Sequence, residues 1–412
     1  MTGGAGAELV LEPTAMVAGG AGLAREADGR VVFVEGALPG ERVWARLTDA
    51  RTDFARAVAV EILDPSPDRV APPCPALAAG CGGCTWQHVS ADAQARLKGD
   101  IVVDALRRIA RLEDPPRPGV APLEGPPLRT TARLAVTSDG RAGHRPRGGD
   151  GSAVATDACL VAHPLLDELI VSGRYPGAGE VLLRVGVSSG ERVALVRAGR
   201  KGVRVPSDVT VVQEGDRRPA YVHEDVAGRS FRVAADSFFQ PGPVAAAGLV
   251  AAVSVAVGDA LPAGGRLVDS YAGVGLFASV LGARSGARVV ALESDPAAVA
   301  DARANLADLD ARVIATEVGR WRPAPDDPPA DVIVADPSRP GLGRPGVAGV
   351  VASGAARLVL VSCDPASLAR DVTLLAEQGY RLSGVTLVDA FPDTFHVETV
   401  SRFDRVGPPP IR

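Results

Sequence analysis

Lysine is almost missing from this chain. Of its 44 basic residues only Lys98 and Lys201 are lysines. Arginine suits bidentate phosphate contacts, but so uniform a bias beside abundant Ala and Gly reads as a compositional habit of the source genome. An excess of positive charge is also lacking. The net charge of −5 excludes indiscriminate nucleic-acid binding, so any such surface is a local patch. The opening "MTGGAGAELV" has neither a basic start nor an apolar core, which excludes a secretory signal there. No stretch reads convincingly as a membrane span. The least charged, residues 237–258, opens with Gln, Pro and Gly and is richer in Ala than in bulky aliphatics, as in a buried helix. A cytoplasmic protein is expected, with no membrane partner. No internal repeat is visible.

What is present divides well. A chain of 412 residues makes two or three domains, each able to bury its own core. Residues 1–67 hold short β-rich pieces ("ELVLEPTAMV", "GRVVFVEG", "ERVWARLTDA", "ARAVAVEIL") set apart by Gly, Pro and Asp. That spacing predicts a small closed β-barrel. Residues 68–235 begin with a Pro/Cys/Gly-rich knot and a helix over 91–112, then read as α+β. From 236 to 412 helices alternate with the apolar strands "GRLVDSYAGVG", "ARVVALESD", "DVIVADPSR" and "ARLVLVSCD". This is the pattern of a doubly wound α/β sheet. Ligands in such sheets sit at the carboxyl ends of the strands.

Cys74, Cys81 and Cys84 are spaced C-x6-C-x2-C, with Cys159 remote in "DACLVAHP". Any single cysteine is more simply a buried thiol. Three so close together among glycines and prolines favour metal or cluster ligation. Zinc usually takes paired C-x2-4-C halves, so three clustered ligands and one distant one lean toward iron–sulfur. Zinc stays open on spacing alone.

"RLVDSYAGVGLF" ends a strand at Asp269 and supplies Gly273 and Gly275 before a helix. Glu293 follows at the end of the next strand, where an acid can grip ribose hydroxyls. Ala278 fills the last slot of a GxGxxG/A pattern, so NAD is not excluded, while S-adenosylmethionine needs no pyrophosphate cradle. Methyltransferase and dehydrogenase both remain open at this point. Asp336 ends the third strand, and Cys363 ends the fourth, beside Pro365 at a helix start. Glu398 lies in "DAFPDTFHVETVSRF". A lone strand-end acid is commonly a solvated loop residue. Together, the thiol and the late acid suit one reaction: sulfur adds to carbon 6 of uracil, carbon 5 becomes nucleophilic, and a base later removes its proton.

With those residues in view, the sequence resembles the RNA uracil-5 methyltransferase family, in its iron–sulfur branch acting on 23S ribosomal RNA. "CPALAAGCGGCTWQH", "FFQ", "DSYAGVG", "DPSRPGLG", "VSCDPASLARD" and "FPDTFHVE" follow in the family's order. The resemblance implies a TRAM domain at 1–67 that binds RNA, a central iron–sulfur domain at 68–235, and a Rossmann-like class I methyltransferase domain at 236–412. It implies a 4Fe–4S cluster on Cys74, Cys81, Cys84 and Cys159. It also implies S-adenosylmethionine contacts from Gln240, Tyr271, Glu293 and Asp336, with Cys363 and Glu398 catalytic. Residues near 91–120 are implied to pack on the catalytic domain. Ala272, Ser338 and Asp364 depart from the family's commoner residues. Ser338 stands where RNA cytosine-5 methyltransferases carry a second cysteine, which disfavours cytosine. Transfer RNA as substrate, an NAD-linked iron–sulfur oxidoreductase and a non-catalytic RNA-binding protein are the remaining alternatives. Phe238, Phe239 and Phe395 are candidate stacking surfaces or ordinary core, and a monomer is expected.

Overall fold

Alternation of buried and exposed residues builds the N-terminal unit. In β5 (Arg42–Ala50), Val43, Ala45 and Leu47 point inward while their neighbours face solvent. β5 belongs to one sheet with β1 (Glu8–Leu11), β2 (Ala15–Met16), β3 (Gly22–Arg25), β4 (Val31–Glu35) and β6 (Phe54–Asp64). The order is β1-β5-β6-β4-β3-β2. The two edge strands are joined by residues 12–14 alone, which span at most about 15 Å between them. The sheet therefore curls until its edges are neighbours. Among the described residues no ladder closes that seam, and Pro13 in the link has no N–H to give. In place of the closed barrel expected, the unit is a curled sheet with an open seam. This computed structural model describes residues 5–147, 149, 151–199, 201–216 and 220–406. The extreme ends of the first and last domains expected from sequence, 1–4 and 407–412, lie outside them.

α1 (Ala91–Arg108) links the units. It stops a turn short of residue 112, because Arg111 enters the left-handed region and Pro115 and Pro116 follow. Trp86, Val89, Ala93, Leu97 and Ile101 share one core with Met16 and Leu38 of the curled sheet. The other side of α1 buries Val102, Ala105 and Leu106 in the core beneath the C-terminal sheet. Beyond it, β7 (Gly119–Val120) joins the edge of that sheet.

The central sheet has the order β10-β9-β8-β11-β12-β13. Its strands are β8 (Thr131–Val136), β9 (Ala142–His144), β10 (Val154–Ala155), β11 (Glu180–Val185), β12 (Arg192–Arg197) and β13 (Val209–Gln213). α2 (Pro164–Val171) covers it with Leu166, Leu169 and Ile170. The hairpin of β14 (Tyr221–Val226) and β15 (Arg229–Ala234) stands apart from that sheet. Its Val222, Val226, Phe231 and Val233 join the C-terminal core instead.

The C-terminal unit begins with α3 (Pro243–Val257). With its short extension to Ala260 this is long and apolar enough to cross a membrane by composition, yet it packs on the hairpin and the sheet. Then follow β16 (Arg266–Ser270), α4 (Leu276–Ser285), β17 (Arg288–Glu293), α5 (Pro296–Asn305), β18 (Ala311–Ala315), β19 (Val332–Ala335) and α6 (Gly343–Ala352). β20 (Arg357–Ser362), α7 (Pro365–Ala376), β21 (Tyr380–Val388) and β22 (Glu398–Arg405) complete it. The strand order is β18-β17-β16-β19-β20-β22-β21-β7, with β22 antiparallel to both neighbours. All four residues of β19 and the last five of β20 are buried, as two covered faces require. The order reverses at β16, and a crevice opens there at the carboxyl ends.

Candidate active site and cysteine cluster

Strand ends place the chemistry. Asp269 is the penultimate residue of β16, Glu293 closes β17, Asp336 follows β19 and Cys363 follows β20. β22 runs the other way, so its first residue, Glu398, comes to the same edge. Ser362 pairs with Thr399, and one more step in that register sets Cys363 against Glu398. A cavity of about 620 Å³ opens at this edge. Its walls include Gln240, Tyr271, Gly273, Glu293, Asp336, Cys363 and Glu398. Asp269 and Gly275 support it from outside the lining.

The glycine turn is shaped for a ligand. Gly273 and Gly275 have φ of 55° and 89°, and Tyr271 itself sits at 62°, a strained value for a residue with a side chain. Gly273 N–H donates to Glu293 Oε2 at 2.9 Å, tying the turn to the second strand. Asp269 accepts from Ala278 N–H at 2.8 Å through one oxygen, while the other is buried without a partner. Gln240 donates to Asp336 Oδ2 at 3.2 Å.

Burial sets the electrostatics, and neighbouring acids add to it. Burial pushes the Asp269 and Asp336 carboxyls up to about 7 each. Burial also holds Glu398 well above the usual carboxylate range, with Asp336 adding to it and Arg339 and Lys98 opposing. The Cys363 thiol is pushed up to about 11 by burial, then by Glu398 and Asp336, against Arg339. The helix start expected after Cys363 is present: Asp364 caps α7 by accepting from Ser367 N–H at 2.7 Å, and Pro365 follows it. At Cys363, burial and the two acids outweigh that helix end.

Of the aromatic candidates, Phe238 is 70% exposed on the pocket wall. Phe239 is buried against Phe231, and Phe395 lies against His396 and Gly20. Sequence reasoning missed Arg339, Phe391 and His396, which also line the cavity. "DPSR" and "FPDTFHVE" contain all three, so proximity to those motifs was the available signal.

The four cysteines Cys74, Cys81, Cys84 and Cys159 are free thiols lining one small cavity with His144. Burial raises Cys81, Cys84 and Cys159, and Arg129 opposes it at each. Gly83 N–H points at the Cys81 sulfur and Val161 N–H at that of Cys159. A Cβ on Gly82 would lie 2.4 Å from Arg145 O, and one on Gly83 2.8 Å from the His144 ring. Among the described residues no three such side chains close on a single metal ion.

A parallel sheet with one antiparallel strand, β22, inserted between β20 and β21, a glycine turn after β16 and an acid ending β17 are the features of a class I S-adenosylmethionine-dependent methyltransferase fold. The family model of the TRAM domain matches residues 9–60. A Streptomyces coelicolor protein named an uncharacterized RNA methyltransferase is 39% identical over 96% of this chain and 92% of its own. The 23S rRNA (uracil(1939)-C(5))-methyltransferase RlmD of Methylococcus capsulatus is 35% identical over 92% of this chain and 93% of its own. A solved Pyrococcus abyssi tRNA (uracil-54, C5)-methyltransferase, bound to S-adenosyl-L-homocysteine, superposes with a TM-score of 0.73. That match covers 95% of this chain and all of the other at 22% identity, and so speaks for the fold. The chain belongs to the RNA uracil-5 methyltransferase family and is an S-adenosylmethionine-dependent enzyme acting on carbon 5 of uracil in RNA. The oxidoreductase alternative gains no support.

Proposed function

We propose that this enzyme methylates a uridine of 23S ribosomal RNA through a transient Cys363–carbon 6 bond, with Glu398 as the base that removes the carbon 5 proton. The observation that carries this reading is that Cys363 and Glu398, each one residue beyond the Ser362–Thr399 ladder pair, line the same pocket. Gln240, Tyr271, Glu293 and Asp336 would hold S-adenosylmethionine, with Asp269, Gly273 and Gly275 shaping the turn beneath it. The fit rests on the orphaned Asp269 oxygen and the left-handed turn. That cofactor supplies an electrophilic methyl group.

The thiol of Cys363 must first lose its proton to solvent, and it regains one from solvent after the thiolate is released. Its sulfur then bonds to carbon 6, and the displaced electron pair makes carbon 5 nucleophilic. Once carbon 5 carries the methyl group, Glu398 takes the proton from it. The carbon 5–carbon 6 double bond re-forms as the carbon–sulfur bond breaks, and the thiolate leaves. A carboxyl raised by burial is a stronger base when ionised, which suits this step. Carbon 6 is shielded in a stacked helix, so the uridine must be unstacked to reach the sulfur. Exposed Phe238 offers a face for it.

Ribosomal RNA is preferred to transfer RNA because the relative named for 23S rRNA is matched in sequence along nearly its whole length. We also read Cys74, Cys81, Cys84 and Cys159 as holding a 4Fe–4S cluster. They line one small cavity, and N–H groups aim at two of the sulfurs. A visible charge-transfer band in anaerobically purified protein supports this. A colourless protein with stoichiometric zinc refutes it.

Cys363→Ala should abolish methylation and leave cofactor binding intact. Glu398→Gln should accumulate a denaturation-stable protein–RNA adduct already carrying the methyl group. Normal turnover in the first variant rejects the nucleophile. Mapping 5-methyluridine across stable RNAs, with and without the protein in cells, identifies the target; a mark lost from transfer RNA alone rejects the ribosomal assignment.

A further inference from the structure

Lys98 is one of two lysines in a chain that otherwise uses arginine, and it is fully buried. Its ammonium donates to Asp389 Oδ1 at 2.6 Å and to Phe391 O at 2.9 Å. A compact charge with three donors fits such a place; a planar guanidinium does not. Gln94, one turn earlier on the same face of α1, is also buried. It donates to Asp393 Oδ1 at 3.1 Å and accepts from Asp393 N–H at 2.7 Å.

Both grip the loop 389–397, which joins β21 to β22. Its tip is held from the cysteine knot as well: Thr85 and Trp86 N–H each donate to Asp393 O at 2.8 Å, and Phe395 N–H donates to Thr85 Oγ1 at 3.1 Å. Asp393 itself has φ of 61°, a left-handed conformation that Asp adopts more readily than most residues and that fixes the turn of the loop here. Glu398 is the first residue after this loop, and Val388, the last before it, is its ladder partner. Phe391 and His396 of the loop face the pocket.

We propose that Gln94 and Lys98 are positioning residues for the reaction: they brace loop 389–397 from α1, so that Glu398 meets carbon 5 of the sulfur-bound ring. Neither touches substrate. The inference rests on the reading of Glu398 as the base, and the test separates the two.

Lys98→Met and Gln94→Leu are each compared with Glu398→Gln in the full-length protein. The expected result is a turnover reduced between about tenfold and a hundredfold, with affinity for S-adenosyl-L-homocysteine unchanged. Gln94→Leu reads displacement of the base alone, because Lys98→Met also removes a positive charge that favours ionised Glu398. The methylated protein–RNA adduct should build up in both brace variants, as in Glu398→Gln. A merely structural role would lower the amount of active enzyme without shifting bound RNA into that adduct. Where either variant fails to fold, Asp389→Asn keeps the side-chain shape while removing the ion pair, and should accumulate the adduct more weakly. If Glu398→Gln accumulates adduct and the brace variants do not, the brace is wrong and the base stands. If Glu398→Gln itself accumulates none, the base assignment falls and the inference falls with it.

Discussion

At the residue scale, Cys363 presents a tension. A nucleophile is wanted as thiolate, yet burial and two neighbouring acids push the thiol up to about 11, so the neutral form is favoured below that. Alkylation of Cys363 by iodoacetamide in cofactor-free protein, followed by peptide mass spectrometry, should therefore rise about tenfold per pH unit between pH 7 and 10. A plateau already reached by pH 8 would show that the sulfur is ionised without help. The residues proposed to react were legible as candidates, because a cysteine at a strand mouth before Asp-Pro is a local pattern, and the structure lines one pocket with Cys363 and Glu398. Lys98 was visible only as a rarity. Its partner Asp389 lies 291 positions away, and nothing in the sequence near either residue records that contact.

At the element scale, capping carries part of the active site. Asp364 closes the first turn of α7 and is adjacent to Cys363. Asp364→Ala should cost about 1 kcal/mol in chemical denaturation and slow adduct formation, while Asp364→Asn should be nearly silent in both. Equal loss in the two variants would point to charge and not to the cap. Apolar runs made β19 and β20 legible, and the glycine turn was read correctly after β16. The extent of α1 was not, because Ile109 and Leu112 prolong an apolar pattern past the left-handed turn at Arg111. β7 was missed too: both its residues are exposed, and only pairing with β21 makes them a strand.

At the scale of the whole molecule, Trp86 is a hinge pin of packing. It is fully buried, shares a core with Met16 and Leu38, and donates to Gly20 O at 3.2 Å. Trp86→Ala should weaken the seat of the N-terminal sheet by about 3–5 kcal/mol. Limited proteolysis should then cut near residues 64–70 while S-adenosyl-L-homocysteine still protects the C-terminal unit. Resistance equal to that of the parent would mean the sheet is held elsewhere, with Arg147 to Glu35 as a second link. The N-terminal β-sheet and the C-terminal doubly wound sheet were legible from strand spacing and apolar runs, but the β14–β15 hairpin, read with the central unit, packs in the C-terminal core. That the cysteine knot, α1 and the curled sheet all converge on one loop was not, since each contact is made between segments far apart in the chain.

The strand that brings Glu398 into place lies between β20 and β21, inside the sheet and not at its edge. On a ribosome β22 is made after every other strand, so a growing chain holds a gap where its last ladder belongs. The donor crevice and the residue proposed as the base are therefore completed by different stretches of chain, and Glu398 takes its place only when β22 slots in between β20 and β21.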